Sequence, residues 1–192
     1  MTPQATSTRR VLADVLAPSI TSDVALVLGG AALVGALAQV SIPLGFTPVP
    51  VTGQTLGVLL VGATLGTRRA SVSLALYLVA GLAGVPWFAG HTSHVPFALV
   101  GYLVGFLAAA ALTGALGARY RGVLATTATM IAGEAAIYAV AVPWLALALH
   151  VGLARALSLG MWPFLAGDAL KALIAGVALP GAWRLVSETR HS

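Results

Sequence analysis

Six long apolar runs, separated by short polar or irregular breaks, make up most of this sequence. They lie near residues 24–40, 51–66, 70–85, 96–116, 123 onwards and 161–179. Runs of this length are close to the roughly 17–25 residues that a helix needs to cross a bilayer. Only 8% of the chain is charged, whereas about a quarter of a soluble domain is charged. The sequence therefore predicts an all-α integral membrane protein, a six-helix transmembrane bundle.

The arginines lie almost entirely in the breaks between these runs, so we read them as topology signals rather than as a nucleic-acid surface. By the positive-inside rule the side that carries most of them is cytoplasmic, which places both termini in the cytoplasm. The expected division is a cytoplasmic lead at 1–23, one transmembrane domain at 24–183 and a cytoplasmic tail at 184–192. The arginines on the predicted cytoplasmic side are Arg9, Arg10, Arg68, Arg69, Arg119, Arg121, Arg184 and Arg190, and only Arg155 falls on the other.

Three segments that we expect to be irregular, the first two rich in proline and glycine, fall on the predicted outer side. Non-helical backbone beside a membrane span must be buried in protein or line a wet cavity. Polar side chains in or just after the first segment, Thr47, Thr52 and Gln54, could therefore contact a ligand. A surface turn with Thr52 as a helix cap is the alternative. Trp87 and Phe88 in the second segment could anchor the chain in the interface or stack on a ligand. The three segments are 41–53, 84–96 and 150–160.

Two charged residues lie inside the last apolar run. Asp168 and Lys171 are three residues apart, a spacing that places both side chains on one face of a helix. A charge at the centre of a membrane helix costs on the order of 2.5–3.5 kcal/mol on insertion scales, so such residues usually face a cavity or a bundle interior. If the helix begins near Met161, the pair lies about 10 and 15 Å below the outer interface. We expect it on the floor of a pocket roofed by the irregular segments, a purely structural ion pair being the alternative.

Glu134 is a further ionisable residue within an apolar run. We expect this carboxyl group to be neutral and hydrogen-bonded to a tyrosine or serine. A role in carrying protons is the alternative, although a proton relay usually needs a chain of such groups.

Several chemistries have no support in the sequence. The chain has no cysteine and no G-x-x-x-x-G-K-[ST], H-E-x-x-H or G-x-S-x-G motif, so we predict no ATPase site of its own and no enzyme activity. His91, His94 and His150 could together form a zinc site, but no carboxylate or thiolate neighbours them in sequence. We therefore predict no metal and no cofactor.

The first run is rich in small residues, which allow another helix to approach closely in lipid. Ala32 and Ala36 are the predicted contact points for a partner protein, and packing within the bundle is the alternative. The run ends in Ala36-Leu-Ala38, an A-x-A-like pattern, but it is longer than the apolar core of most signal peptides.

Five motifs occur in the order known from one group of transport proteins. They are Ser41-Ile-Pro-Leu-Gly-Phe-Thr-Pro-Val-Pro-Val-Thr-Gly-Gln54, Gly84-Val-Pro-Trp-Phe-Ala-Gly90, Gly101-Tyr-Leu-Val-Gly-Phe106, Ile137-Tyr138 with Pro143-Trp-Leu145, and Pro163-Phe-Leu-Ala-Gly-Asp-Ala-Leu-Lys171. Over about residues 24–180 the chain thereby resembles the BioY family, the biotin-specific S components of energy-coupling-factor (ECF) transporters.

The resemblance implies a biotin site near the outer face of a protein in the cytoplasmic membrane. It also implies import driven by two ABC ATPases through a separate transmembrane coupling protein, with lipid as the remaining partner. Asp168 and Lys171 are carried over as ligand contacts, together with Phe88 and Tyr102. Asp168 could accept a ureido N–H of biotin, and Lys171 could donate to the ureido carbonyl or pair with the carboxylate. The alternative function is a stand-alone proton-coupled or facilitative carrier that works through Asp168 and Glu134.

Overall fold

The computed structural model describes residues 11–16, 19–120 and 122–188. Within these ranges the chain forms seven α-helices, a 3₁₀ turn at Phe97–Leu99 and a short antiparallel pair of strands. The helices are α1 (Leu12–Leu16), α2 (Ile20–Ala38), α3 (Gln54–Leu82), α4 (Val100–Gly117), α5 (Val123–Leu149), α6 (Leu153–Gly160) and α7 (Leu165–Glu188), and the strands are β1 (Ser41–Ile42) and β2 (Val51–Thr52).

Four helical segments are long and apolar enough to cross a membrane, among the residues described. They are Ile20–Ala38, Phe97–Gly117, Val123–Leu149 and Leu165–Arg184. The prediction of a helical membrane protein with several spans is confirmed at this level.

The long helix α3 folds back on itself at Gly66. This residue has φ +80° and ψ 167°, outside the helical region, in a conformation that glycine adopts without a Cβ clash. In a straight helix, Gln54 and Tyr77 would lie about 35 Å apart at about 1.5 Å per residue. Their side chains are instead joined by a hydrogen bond of 2.8 Å. The two halves of α3 are therefore antiparallel neighbours.

Helix α4 packs tightly against α3 and α5 at two glycines. A Cβ on Gly114 would lie 2.4 Å from the backbone nitrogen of Thr67, and one on Gly105 would lie 2.9 Å from the carbonyl oxygen of Ile137. Small residues let helix backbones approach this closely. The fully buried side chains of the core come mainly from α3 and α5 and include Leu59, Leu74, Tyr77, Met130, Ile137 and Leu145.

Arg69 joins the beginning of the described chain to α3. Its guanidinium group donates to Asp14 of α1 at 2.5 Å and to Asp23 of α2 at 2.8 Å. Val11 and Ala13 beside Asp14 are buried. Part of the predicted N-terminal lead is therefore packed on the bundle, whereas residues 1–10, 17 and 18 lie outside the described residues.

Four details of the sequence prediction need correction. The chain reverses at Gly66 rather than across residues 67–69, which are helical. A kink or an end of the fifth helix is expected at Pro143 from the sequence, but α5 does not end there and continues to Leu149. The third predicted irregular segment contains the helix α6, with Ala156 and Leu159 buried. Helix α7 begins at Leu165 rather than near Met161, and it continues to Glu188 into the predicted tail.

Candidate functional site

A cavity of about 730 Å³ opens between the helix ends and the two irregular segments that follow α2 and α3. Its walls are largely apolar and include Leu99, Leu103 and Phe106. The structure brings all seven predicted ligand-contacting residues to this cavity: Thr47, Thr52, Gln54, Phe88, Tyr102, Asp168 and Lys171. Residues of the predicted irregular segments 41–53 and 84–96 line it, whereas no residue of the third segment, 150–160, is among the lining residues.

The floor of the cavity carries a network of four polar side chains. Lys171 Nζ lies 3.0 Å from Asp168 Oδ1 and donates a second hydrogen bond of 2.8 Å to Thr55 Oγ1. The hydroxyl group of Tyr138 donates to the other oxygen of the same carboxylate. Asp168 is only 4% exposed. The predicted contact between Asp168 and Lys171 is thus present, and both charged groups have protein partners.

Asp168 lies in the first turn of α7, not about two turns below the helix start as predicted. The reason is that Met161–Phe164 forms a turn before the helix begins. A carboxylate in the first helical turn is stabilised by the N-terminal end of the helix dipole, typically by about 0.3–1 kcal/mol. The helix that carries the ion pair therefore also helps to hold its negative member.

Thr55 and Tyr138 belong to the floor but were not predicted as ligand-contacting residues. In each case the sequence contains a feature that indicates this position. Thr55 directly follows Gln54 at the beginning of α3, and Tyr138 comes four residues after Glu134, on the same face of α5. Residues four apart on a helix are neighbours.

The side chains of Gln54 and Thr52 are hydrogen-bonded to each other at the wall of the cavity. Thr52 Oγ1 donates to Gln54 Oε1 at 3.1 Å, and Gln54 Nε2 donates to the Tyr77 hydroxyl at 2.8 Å. One N–H of the Gln54 amide therefore links the two halves of α3. The other N–H remains available to donate to a ligand.

Thr47 and Tyr102 fasten two sides of the cavity to the end of α6. Thr47 Oγ1 donates to the carbonyl oxygen of Leu159 at 2.7 Å, and the Tyr102 hydroxyl donates to that of Gly160 at 2.5 Å. Both hydroxyl groups have used their only hydrogen, so they can only accept from a ligand in this arrangement.

Phe88 and Trp87 occupy different environments. Phe88 lines the cavity but is 3% exposed, and it packs edge-on against Tyr77 with ring centroids 5.3 Å apart. Trp87 is packed away from the cavity lining, its Nε1 donating to the carbonyl oxygen of Tyr77 at 2.9 Å. It also closely approaches Gly35 of α2. Trp87 is therefore not among the residues that line the cavity.

Glu134 is buried, 6% exposed, and both its carboxyl oxygens lack a hydrogen-bond partner among the described residues. The predicted hydrogen bond to a tyrosine or serine is wrong, because the nearby Tyr138 hydroxyl is directed to Asp168 instead. An unpaired buried carboxyl is uncommon and needs an explanation.

The small residues of α2 divide between two faces. Gly30, Ala31 and Gly35 are buried against the bundle, whereas Ala32 and Ala36 are exposed. The two predicted partner contacts therefore lie on the outward face of α2. In the described part of the chain, no group of three His, Asp or Glu side chains is arranged to hold a metal ion.

Comparison with known proteins extends over most of the chain. The family model described as BioY family matches residues 4–188. The biotin transporter BioY of Rhizobium etli is 34% identical over 170 residues, which cover 82% of this chain and 90% of the relative. The probable biotin transporter BioY of Pyrococcus horikoshii is 33% identical, with 80% of this chain and 91% of the relative covered.

A solved structure has the same fold. It is a crystal structure of the S-component for biotin from an ECF-type ABC transporter, and it matches with a TM-score of 0.77 at 22% identity. The match covers 85% of this chain and 92% of that chain. The family model spans α1 to α7 and every residue that lines the cavity. The chain belongs to the BioY family.

Proposed function

We propose that this chain binds biotin in the cavity and is the substrate-binding subunit, or S component, of an ECF-type transporter. The observation that carries the proposal is the Asp168–Lys171 ion pair on the floor of a cavity of about 730 Å³. Cavities of about 300–1,000 Å³ with apolar walls and a few polar groups suit small molecules. Among such molecules biotin is the proposed ligand, because proteins that are similar to this chain over most of its length are named biotin transporters.

The floor network has unused hydrogen-bonding capacity for a ureido ring. A carboxylate can accept about four hydrogen bonds, and Asp168 accepts two, one from Lys171 and one from Tyr138. An ammonium group has three donors, of which Lys171 uses two. Asp168 can thus accept a ureido N–H, and the third donor of Lys171 can reach the ureido carbonyl. The apolar walls suit the bicyclic ring and the aliphatic tail.

The energy for transport comes from partner subunits. The sequence contains no P-loop, so this chain has no such site at which to hydrolyse ATP. The exposed face with Ala32 and Ala36 on α2 is the proposed contact for the transmembrane coupling protein, which links the chain to a pair of ABC ATPases. Alanines on an outward face allow the partner helix to approach closely in lipid.

The proposal includes an orientation of the chain in the membrane. Six crossings of the cytoplasmic membrane arise from α2, the two halves of α3, α4, α5 and α7, with both termini in the cytoplasm. The arginine-rich breaks then face the cytoplasm, and the mouth of the cavity faces outward. Equilibrium titration of the purified chain with biotin tests the binding, and co-purification with ATPase subunits tests the assembly.

Single cysteines report the orientation, since the chain has none of its own. Gly45 is exposed with open space around it, and Tyr120 is 51% exposed in the break before α5. We expect Gly45→Cys in intact cells to react with a membrane-impermeant maleimide, and Tyr120→Cys to react only after permeabilisation. Labelling of Tyr120→Cys from outside, with Gly45→Cys protected, would reverse the orientation.

A second candidate function is a carrier that works alone and moves protons through Glu134. The unpaired, buried carboxyl group is the specific observation that favours it, because ionisable residues inside membranes often mark proton pathways. It requires uptake without ATPase subunits and collapse of uptake with the proton gradient.

Glu134→Gln separates the two candidates, because the amide keeps the size of the side chain and cannot release a proton. For the S component we expect unchanged biotin uptake by the complete complex, and no loss of stability, since an unpaired buried carboxyl is already unfavourable. The measurement is uptake of labelled biotin in cells with and without the ATPase subunits. Loss of uptake in the variant with retained biotin binding would favour the proton carrier.

A further inference from the structure

The hydroxyl group of Thr55 contacts the ion pair from a different helix. Thr55 lies in the first turn of α3 and lines the cavity. Its Oγ1 accepts a hydrogen bond of 2.8 Å from Lys171 Nζ. An ammonium group has three donors and no acceptor. The hydroxyl hydrogen of Thr55 therefore cannot be directed to Lys171 and points elsewhere.

This hydrogen has no protein acceptor in the part of the chain that the structure describes, where the only hydrogen bond of Thr55 is the one it accepts. A threonine within a helix can donate to the carbonyl oxygen four residues earlier, as Thr64 does to Leu60 at 2.6 Å. The residue four positions before Thr55 is Val51, which belongs to β2 rather than to the helix. The usual acceptor of a helical threonine is thus missing at this position.

Most other hydroxyl groups of the cavity lining already donate their hydrogen to a protein acceptor. They belong to Thr47, Thr52, Thr92, Tyr102 and Tyr138. Ser41 also lines the cavity without a described acceptor, but no described hydrogen bond connects it to the ion pair. Thr55 is therefore the available hydroxyl donor that directly contacts Lys171.

We infer that Thr55 is a specificity-determining residue, which donates to the ureido carbonyl of biotin together with Lys171. The inference rests on the proposed function, since biotin supplies the ureido ring. The two donor atoms lie 2.8 Å apart, so one carbonyl oxygen with its two lone pairs can accept from both at ordinary hydrogen-bond distances. The neighbouring ureido N–H remains for Asp168, whose Oδ1 lies 3.0 Å from the same ammonium group.

The consequence is selection for a strong acceptor at one atom of the ligand. A ligand with a weak acceptor in this place would leave the Thr55 hydroxyl and one N–H of Lys171 covered and without a good partner. Sites built around a hydrogen bond discriminate against ligands that lack it, because the buried polar groups are then left unpaired.

Two ligands that differ in this atom test the inference. Thiobiotin carries sulfur, a weaker acceptor, in place of the ureido oxygen of biotin. Thr55→Val removes the hydroxyl group and keeps the branched shape. In calorimetry on the purified full chain, we expect Thr55→Val to lower biotin affinity by about 2-fold to 12-fold and thiobiotin affinity by less than about 2-fold. Thr55→Ser keeps a hydroxyl group and should bind biotin as the wild type does.

Thr64→Val is the matched control, because it makes the same change in the same helix. The Thr64 hydroxyl donates within α3, and the residue lies outside the cavity lining. This variant should bind both ligands as the wild type does. Unchanged biotin affinity in Thr55→Val would remove the proposed contact. Equal losses for both ligands, or an equal loss in Thr55→Ser, would mean that Thr55 only shapes the wall of the cavity.

Lys171→Met separates direct donation by Thr55 from support of the lysine. In this background Thr55→Val should still weaken biotin binding, since the hydroxyl group donates to the ligand itself. The absence of a further loss would mean that Thr55 acts only by holding the ammonium group, which contradicts the inference. A folded wild-type chain that binds neither biotin nor thiobiotin overturns the proposed function itself, and the inference with it.

Discussion

Asp168→Ala is expected to weaken biotin binding by about 2–5 kcal/mol, the usual cost when one member of a desolvated, hydrogen-bonded charge pair is removed. This corresponds to a fall in affinity from about 30-fold to several thousand-fold. The reason is that Asp168 is 4% exposed and accepts from both Lys171 and Tyr138, so its loss leaves a lysine without a counter-charge. Calorimetric titration of the purified variant with biotin measures the effect.

Lys171→Ala should have an effect of similar size, because it leaves the Asp168 carboxylate with only the Tyr138 hydroxyl from the network. The double variant should cost much less than the sum of the two single variants, since both residues belong to one network. Asp23→Asn is the control: it breaks an ion pair of 2.8 Å with Arg69 outside the cavity and should leave binding intact. Wild-type affinity in both single variants would reduce Asp168 and Lys171 to a structural ion pair.

Ala36→Trp is expected to prevent assembly with the coupling protein. Position 36 is exposed on the outward face of α2, and a tryptophan there would separate two helices that must approach closely. Overpacking typically costs about 1–3 kcal/mol, so the yield of complex should fall about fivefold or more. Co-expression and co-purification with the coupling protein and the ATPases measure the yield, and Ala32→Trp should behave in the same way.

The control for assembly is Ala135→Trp, which places the same ring on an exposed position of α5. It should leave the yield of complex unchanged. Biotin binding by the isolated Ala36→Trp chain should also be unchanged, because the side chain points away from the bundle. Loss of biotin binding with retained assembly would place Ala36 inside the fold of this subunit rather than at a partner contact.

Local features of the site could be predicted from the sequence. The contact between Asp168 and Lys171 follows from their separation of three residues on one helix, and both were expected at a cavity because charge inside an apolar run is costly. The irregular segment after α2 was expected to line that cavity, since its prolines prevent a regular helix and its backbone needs polar surroundings. These inferences depend only on short sequence spacing or on composition.

Long-range contacts could not be predicted in the same way. The hydrogen bonds from Thr47 and Tyr102 to the end of α6 join residues 112 and 58 positions apart, and no pattern in the sequence encodes them. The helix α6 was missed because flanking glycines made the whole segment resemble a loop. The unpaired state of Glu134 was missed because the obvious donor, Tyr138, binds Asp168, a partner 30 residues away.

The most direct test of biotin binding in this cavity is a calorimetric titration of the purified wild-type chain, without other subunits, with biotin. We expect saturable binding of one biotin per chain, which is lost or greatly weakened in the folded Asp168→Ala variant. A folded wild-type chain that binds no biotin, or a variant that binds it as tightly as the wild type, would contradict biotin binding at this ion pair.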